Sequence, residues 1–247
     1  MFNQLLPKCR LAVARGMRET GRMQRSTVHL VRHGEVHNPE GVLYGRLPEF
    51  HLSDLGRQMA VQMARHFQER RDEGADIVHL VASPLDRAQE TAQPLAETLG
   101  LSISTDERII EAENRFEGMS GIKSRLRQPR TWPLLVNPLR PSWGEPYSQQ
   151  VERMMAAVHD ARRLALELSA DAGQGHPAEV ILVSHQLPIW VTRLAAEHRR
   201  LWHDPRQREC TLTSITSLDF DGETIRRVRY AEPCADLLPE AANVPGA

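Results

Sequence analysis

Short, continuously apolar segments alternate with segments of helical periodicity along most of this chain, and this alternation restricts the fold more than any other feature. Apolar runs that favour strands occupy residues 27–32, 77–82 and 179–184. Apolar residues at helical spacing follow Ser53 and recur over residues 148–169. Strands that are apolar on both faces and alternate with helices are typical of a buried, mostly parallel sheet. We therefore predict an α/β fold with helices on both faces of such a sheet.

The remaining segments complete this pattern. Ser83-Pro84 predicts the start of a helix, because serine is a favoured N-cap and proline a favoured first helical residue. A weak strand is expected over residues 102–105, and a further helix near Pro188. Alternating residues between 210 and 230 flank the turn Asp221-Gly222, which predicts an antiparallel C-terminal hairpin.

The length of 247 residues suits one domain with additions at its ends. Residues 1–25 are basic but lack the apolar core of a signal peptide, so we expect a flexible basic leader. Residues 26–232 are expected to form a single α/β domain. Within it, residues 118–146 are rich in proline and arginine, which indicates a cap inserted over the sheet edge. Residues 233–247 have no periodicity and are expected to be a flexible tail.

Composition excludes several classes of function. Lys+Arg total 31 and Asp+Glu total 32, which argues against non-specific nucleic-acid binding. The chain has no run of 18 apolar residues, so we expect no membrane span. Cys9, Cys210 and Cys234 form an odd and widely spaced set, which favours a reducing cytoplasm over a disulfide framework. Oligomeric state cannot be inferred from these features.

Almost all of the basic residues are arginine, since Lys8 and Lys123 are the two lysines. Genomic composition explains such a bias, but arginine also suits the recognition of phosphate or carboxylate, because its planar guanidinium forms paired hydrogen bonds. Composition alone does not separate these two explanations.

Basic and imidazole side chains follow three of the predicted strands. Arg32 and His33 end the first strand, Arg87 follows the second, and His185 follows the most apolar strand. In open α/β sheets, ligands bind outside the carboxyl ends of the strands. Cations gathered at that edge would repel one another unless an anion lies between them. We therefore expect a site for a dianionic phosphate group.

Over residues 27–230 these motifs resemble the histidine phosphatase superfamily, whose fold is phosphoglycerate mutase-like, and in particular its phosphatase branch. The signature of that family is matched by residues 30–35, Leu-Val-Arg-His-Gly-Glu. Its second motif is matched by Ser83, Arg87 and Thr91-Ala92, and its late histidine by His185. Three motifs in the family's order, each at a strand end, make the resemblance specific.

The resemblance implies a metal-independent phosphomonoester hydrolase without a cofactor, acting on a small phosphorylated metabolite. His33 would be the nucleophile and would carry the phosphoryl group as phosphohistidine. Arg32, Arg87 and His185 would bind the phosphoryl oxygens. Two alternatives stay open: a phosphotransferase of the phosphoglycerate mutase type, and a non-catalytic module of the same fold that binds phosphorylated ligands.

Such a hydrolase also needs a general acid to protonate the leaving oxygen. The acidic residues of segment 110–118 are the candidates. Glu111 matches the family position best, Glu113 is second and Glu117 third. For each of them the alternative is a solvated surface carboxylate. A donor's pKa would have to rise towards the working pH, for instance through repulsion by the substrate phosphate.

Three further residues are candidates for phosphate or substrate binding. Asn38 stands five residues after His33, one fewer than the asparagine of many family members. Arg46 lies in the loop beyond it and either contacts substrate or is a surface charge. Gln186 replaces the glycine that often follows the late histidine, and this departure leaves the substrate uncertain.

A metal site is not expected. His29, His33 and His37 recur every four residues, which on a helix would place them on one face. This stretch is instead predicted to be a strand that runs into a loop, so the three side chains should not converge.

Overall fold

One sheet organises the part of the chain that the computed structural model describes, which comprises residues 24–120, 144–169 and 176–238. Its six strands within these ranges are β1 (Arg25–Arg32), β2 (Asp76–Ala82), β3 (Ile103–Thr105), β4 (Ala178–Ser184), β5 (Ile215–Asp221) and β6 (Thr224–Ala231). The α-helices of the same ranges are α1 (Asp54–Asp72), α2 (Asp86–Leu99), α3 (Tyr147–Leu168) and α4 (Gln186–Ala196). Short 3₁₀ turns occupy Glu107–Ile109, Pro205–Gln207 and Ala235–Leu237.

The strands are ordered β3-β2-β4-β1-β5-β6 across the sheet. The pairs β2–β3, β2–β4 and β1–β4 are parallel. The pairs β1–β5 and β5–β6 are antiparallel, and β5 and β6 form the expected C-terminal hairpin. The predicted mostly parallel α/β sheet with an antiparallel hairpin is therefore confirmed.

Helices cover both faces of the sheet, as the continuously apolar strands predicted. Along β4, Ile181 and Val183 pack in the core cluster that includes α1 and α2. Val180 and Leu182 pack in the cluster that includes residues of α3 and α4. Because successive side chains of a strand point to opposite faces, one strand contributes to both cores.

Helix α1 begins where its sequence signal placed it. Ser53 is the N-cap residue and its side chain accepts a hydrogen bond from the backbone N–H of Gly56. Met59, Met63 and Phe67 follow at helical spacing and are fully buried. Both the N-cap and the buried face of this helix are therefore those that the sequence predicted.

The start of helix α2 differs from the prediction. The helix begins at Asp86, and Leu85 occupies the N-cap position without a side-chain cap. The hydroxyl of Ser83 instead forms a 2.7 Å hydrogen bond with His185 Nε2. The Ser83 hydroxyl therefore bonds a residue distant in sequence and does not cap the helix. The C-terminus ends at Gly100 in the left-handed conformation, with φ of 62°.

Residues 233–238, expected to belong to a flexible tail, pack against α1. Cys234 is 1% exposed, and Leu237 and Leu238 contact the core cluster beside α1. The Gln62 side chain donates to the carbonyl oxygen of Pro233 at 2.9 Å. A few apolar residues without periodicity can thus dock on a helix, which a periodicity criterion does not detect.

The other expected additions lie largely outside the described residues. These are the leader over 1–23, the central part of the cap over 121–143 and the tail beyond residue 238. Among the helices that the structure describes, none combines the length and apolarity needed to cross a membrane.

Candidate active site

The carboxyl ends of β1, β2 and β4 meet at one edge of the sheet and bring the sequence motifs together. Backbone hydrogen bonds join His33 N to Ser184 O at 3.1 Å and Ser83 N to Val183 O at 2.9 Å. All four predicted phosphate-site residues are at most 2% exposed at this edge: Arg32, His33, Arg87 and His185. The sheet register therefore gathers two guanidinium groups and two imidazoles that are far apart in sequence.

His33 has a defined tautomer. Its Nδ1 lies 2.7 Å from the carbonyl oxygen of Gly34. Because a carbonyl oxygen can only accept, Nδ1 carries the proton and Nε2 carries the lone pair. Burial, together with the charges of Arg87 and Arg32, holds the pKa of His33 well below 6.5. The imidazole is therefore neutral and nucleophilic at neutral pH.

The loop after His33 is held by close backbone contacts. The N–H of Gly34 donates to Thr91 Oγ1 at 3.0 Å, and this hydroxyl in turn donates to Arg87 O at 2.7 Å. A Cβ on Gly34 would lie 2.7 Å from Gly56 O, and a Cβ on Gly56 would lie 2.0 Å from Glu35 O. Both positions require glycine, since neither backbone can move away without disturbing the loop that follows His33.

The two arginines are held by backbone carbonyl groups. Arg32 Nη1 donates to Cys210 O at 2.8 Å, and Arg87 Nη2 donates to Gly45 O at 2.5 Å. The Arg87 guanidinium also lies 4.7 Å from the ring centroid of Tyr44. The buried Nε atoms of both arginines have no hydrogen-bond partner in the described part of the chain. Each guanidinium is therefore fixed in place and retains donors for an anion.

His185 lies beside the candidate nucleophile, with its ring centroid 5.2 Å from that of His33. Burial, reinforced by the charge of Arg87, holds the pKa of His185 well below 6.5. Its Nε2 bonds Ser83 Oγ, while its buried Nδ1 has no partner among the residues described. This histidine thus packs against His33 with its Nε2 fixed by Ser83.

A cavity of about 150 Å³ opens in front of His33. Arg87 and His185 are not on its wall, but they contact Tyr44, Gly45 and His33, which are. The wall combines polar and apolar side chains from several loops: Arg32, His33, Leu43, Tyr44, Gly45, Glu111, Ala112, Glu113, Asn114, Gly144, Glu145, Tyr147, Gln150, Gln186, Leu187 and Arg208. Such a mixed, concave wall is typical of a small-molecule site.

The three candidate acids occupy different environments. Glu111 lies on the cavity wall, and burial raises the pKa of its carboxyl group above 4.5, although Arg87, Arg208 and Arg32 oppose the shift. Glu113 also reaches the wall, but its side chain is 69% exposed and pairs with Arg46. Glu117 accepts a hydrogen bond from the backbone N–H of Arg46. The surroundings of Glu111 therefore favour the protonated form of its carboxyl group more than water does.

Arg46 holds the segment that carries Glu111. Its Nε donates to Glu111 O at 2.6 Å and its Nη2 contacts Glu145 Oε2 at 3.1 Å. Arg153 also pairs with Glu145, at 2.7 Å and 2.9 Å, and donates to Ile110 O at 2.7 Å. We refer to Arg46, Glu145 and Arg153 as the Glu145 network. Arg46 thus belongs to this network and is not on the cavity wall.

The other two predicted binding residues, Asn38 and Gln186, differ in their position relative to the cavity. The side chain of Asn38 is bonded to both the carbonyl and the N–H of Val42, at 2.8 Å and 3.0 Å, and it is not on the cavity wall. It therefore stabilises its own loop, as asparagine commonly does in turns. Gln186 is 5% exposed and lies on the wall, as expected for a substrate contact.

The wall residues that the sequence analysis did not single out include Tyr147, Gln150 and Arg208. Tyr147 and Gln150 lie at the start of α3, and Arg208 lies in the loop between α4 and β5. No local motif marks Arg208, which is one arginine among many. Only the tertiary fold brings this loop to the end of β1.

The three regularly spaced histidines do not converge. His29 lies within β1 and bonds Ser217 and Glu179, at 2.9 Å and 3.0 Å, whereas His37 lies in the loop beyond His33. In the described ranges, no group of three or more His, Cys, Asp or Glu residues is arranged to hold a metal ion.

Comparison with known proteins agrees with this geometry. An uncharacterized protein of Mycobacterium tuberculosis is 49% identical over 214 residues, which cover 86% of this chain and 98% of that protein. A probable phosphoglycerate mutase of Escherichia coli is 30% identical over 205 residues, covering 76% of this chain and 83% of the mutase.

A solved structure of mycobacterial glucosyl-3-phosphoglycerate phosphatase in complex with VO3 superposes with a TM-score of 0.64 at 26% identity. It covers 85% of this chain and 98% of that one. The model of branch 1 of the histidine phosphatase superfamily matches residues 28–233, which include each of the strand-end motifs. The chain therefore belongs to the histidine phosphatase superfamily, branch 1.

Proposed function

We propose that this chain is a metal-independent phosphomonoester hydrolase that acts on a small phosphorylated metabolite through a phosphohistidine at His33. The observation that carries the proposal is the state of His33: a buried, neutral imidazole whose Nδ1 is bound to Gly34 O, beside two arginines. The hydrogen bond at Nδ1 directs the Nε2 lone pair to the reaction.

The first step transfers the phosphoryl group to the enzyme. The lone pair of His33 Nε2 forms a bond to phosphorus while the bond from phosphorus to the ester oxygen breaks. Glu111 gives its proton to the departing oxygen, so an alcohol leaves and Glu111 becomes a carboxylate. The raised pKa of Glu111 supports this role, because the donor must be protonated before the step.

Water completes the second step. Its oxygen attacks phosphorus while the N–P bond breaks, and the Glu111 carboxylate takes a proton from the water. Inorganic phosphate leaves, and both His33 and Glu111 return to their starting protonation states. One carboxyl group thus acts first as an acid and then as a base.

The remaining strand-end residues bind the phosphoryl oxygens in this mechanism. Arg32 lies on the cavity wall, and Arg87 and His185 lie directly behind it against Gly45, Tyr44 and His33. Charge spreads over the equatorial oxygens in the transition state, so fixed donors around them lower the barrier.

A phosphotransferase is the second candidate, because a relative at 30% identity is named a probable phosphoglycerate mutase. The solved relative at 26% identity is named a phosphatase, and it was solved with VO3. We favour hydrolysis because Gln186, which lines the cavity with Leu187, replaces the glycine that often follows the late histidine in this family. We also propose a cytoplasmic location, in keeping with the free cysteines Cys210 and Cys234.

Rapid acid quench with a phosphorus-labelled ester tests the covalent step. The wild type should carry an acid-labile label, and His33→Ala should carry none. His37→Ala is the matched control, because His37 is exposed and not on the cavity wall, and it should keep the label. A wild type without label refutes the phosphohistidine and favours a non-catalytic binding module. An undiminished label in His33→Ala refutes His33 as the phosphorylated residue.

Phosphate release and isomerisation of 3-phosphoglycerate, measured on the same preparation, separate the two enzymatic candidates. Hydrolysis predicts phosphate release from several esters with slow isomerisation. Fast isomerisation with slow release assigns the chain to the phosphotransferases.

A further inference from the structure

Arg208 is an arginine of the cavity wall for which the mechanism above has no role. It follows the 3₁₀ turn Pro205–Gln207 and precedes the buried Cys210. It shares the wall with Tyr147 and Gln186 as well as with the proposed reacting groups.

The guanidinium of Arg208 is held in place by neutral partners. Its Nε lies 2.9 Å from His203 Nε2, and its Nη1 lies 3.4 Å from Gln186 Oε1. His203 Nδ1 lies 2.7 Å from Leu201 O, so Nδ1 is the protonated nitrogen and Nε2 accepts from Arg208. The histidine is therefore uncharged and does not repel the guanidinium.

No carboxylate forms an ion pair with Arg208 among the described residues. This distinguishes it from Arg46 and Arg153, which both pair with Glu145 in the same region. Burial lowers the pKa of Arg208, since a guanidinium removed from water is destabilised unless an anion compensates it.

The position of Arg208 relative to the proposed chemistry restricts what it can bind. The phosphoryl group would lie between His33 and the strand-end arginines. Glu111, the proposed donor to the leaving oxygen, is close enough to Arg208 that each shifts the pKa of the other. Arg208 and Glu111 line the same cavity, so a group attached beyond the leaving oxygen can extend to Arg208.

We propose that Arg208, oriented by His203 and Gln186, binds a carboxylate on the leaving-group side of the substrate and so selects small phosphorylated acids over neutral phosphate esters. A planar carboxylate matches the paired donors of a guanidinium. This inference rests on the proposed phosphatase activity and assigns Arg208 to substrate selection; the reacting atoms remain those named above.

Matched pairs of esters test the proposal. D-3-phosphoglycerate and sn-glycerol 3-phosphate differ by a carboxylate against a hydroxymethyl group, and O-phosphoserine and O-phosphoethanolamine differ by the presence of a carboxylate. The wild type should prefer the acid of each pair by about tenfold or more in kcat/KM, as expected for a desolvated charged hydrogen bond.

Arg208→Gln should lose this preference mainly through KM for the acids, and Arg208→Lys should restore part of it. Arg206→Gln is the control, because Arg206 is exposed and pairs with Asp204 on the same loop. Thermal unfolding of each variant establishes that it is folded. Hydrolysis of both members of each pair at similar rates by the wild type, or an equal loss for both members in Arg208→Gln, overturns the subsite while leaving the phosphatase proposal intact.

If the wild type hydrolyses none of these esters, the phosphatase proposal fails. Calorimetric titration with the same compounds then tests whether Arg208 binds a carboxylate. Tighter binding of the acids that is abolished in Arg208→Gln supports the subsite. Equal binding of acids and neutral esters overturns it.

Discussion

Replacement of Glu111 by glutamine is the most informative single change, because it removes a proton and little else. The side-chain oxygen of glutamine can still accept the 2.8 Å hydrogen bond that the Ala112 N–H donates to Glu111 Oε1. The Glu145 network contacts Glu111 only through its carbonyl oxygen, so it is also preserved. We therefore expect the free energy of unfolding to change by less than about 1 kcal/mol.

The expected loss of activity depends on the leaving group. A general acid contributes roughly 10²- to 10⁴-fold, which corresponds to roughly 3 to 5 kcal/mol of activation free energy. Glu111→Gln should lose a factor in this range on alkyl phosphates, whose leaving oxygen needs a proton. On p-nitrophenyl phosphate the loss should be less than about tenfold, because the phenolate leaves without one.

The dependence on pH provides a second readout of the same variant. The proton donor must be protonated, so kcat/KM of the wild type should fall as pH rises through the raised pKa of Glu111. His33 must be neutral, so kcat/KM should also fall at low pH, but only below the lowered pKa of His33. Glu111→Gln should lose the alkaline decline and keep the acid one.

Glu113→Gln is the matched control, since the Glu113 side chain lies two residues away and is 69% exposed. Steady-state phosphate release with both classes of ester at several pH values makes the comparison. Equal losses for Glu111→Gln on alkyl and p-nitrophenyl esters, or a larger effect of Glu113→Gln, refutes the assignment of the donor.

Three further changes probe the surroundings of the site. Glu145→Gln should lower the free energy of unfolding by about 1 to 3 kcal/mol in urea titrations and reduce kcat on alkyl phosphates, because it weakens the network that holds the donor segment. Thr91→Val should cost about 1 to 3 kcal/mol in the same assay, since the Gly34 N–H loses its buried acceptor; an unchanged midpoint contradicts this. Hydrogen bonds from His29 and Arg70 lower the pKa of Glu179 from 4.5 to about 2. The stabilisation that ionised Glu179 gives to the folded state is therefore complete above pH 4.5 and should disappear as pH falls towards 2. Stability at pH 6 and pH 3.5 should therefore differ less in Glu179→Gln than in the wild type, and an equal difference contradicts the linkage.

Local sequence signals predicted those features of the fold that depend on neighbouring residues. The cap at Ser53, the apolar strands and the hairpin at Gly222 each follow from periodicity or turn chemistry, and the structure has them. The strand-end positions of His33 and His185 followed from the rule that parallel strands present their carboxyl ends together.

Features that depend on distant partners were not predictable from one sequence. Ser83 has the local character of an N-cap, but its hydroxyl bonds His185, which is more than a hundred residues away in the chain. Arg46 was assigned to substrate or to solvent, but its partners, which include Glu111 and Glu145, come from two other segments. Arg208 reaches the cavity only because its loop leads into β5, beside β1.

The way in which Arg32 and Arg87 are held has a consequence for the protein in the cell. Both hydrogen-bond to main-chain carbonyls, which offer partial dipoles, and neither forms an ion pair in the described ranges. Neither guanidinium thus has a carboxylate bonded to it in the described part of the chain, and an oxyanion bound beside them would offset their charges. Any oxyanion that binds the native state but not the unfolded chain shifts the folding equilibrium by mass action, by about 2.7 kcal/mol at a hundred times its dissociation constant. Phosphate would then stabilise the folded protein, and resistance to proteolysis would rise with the phosphate concentration around it.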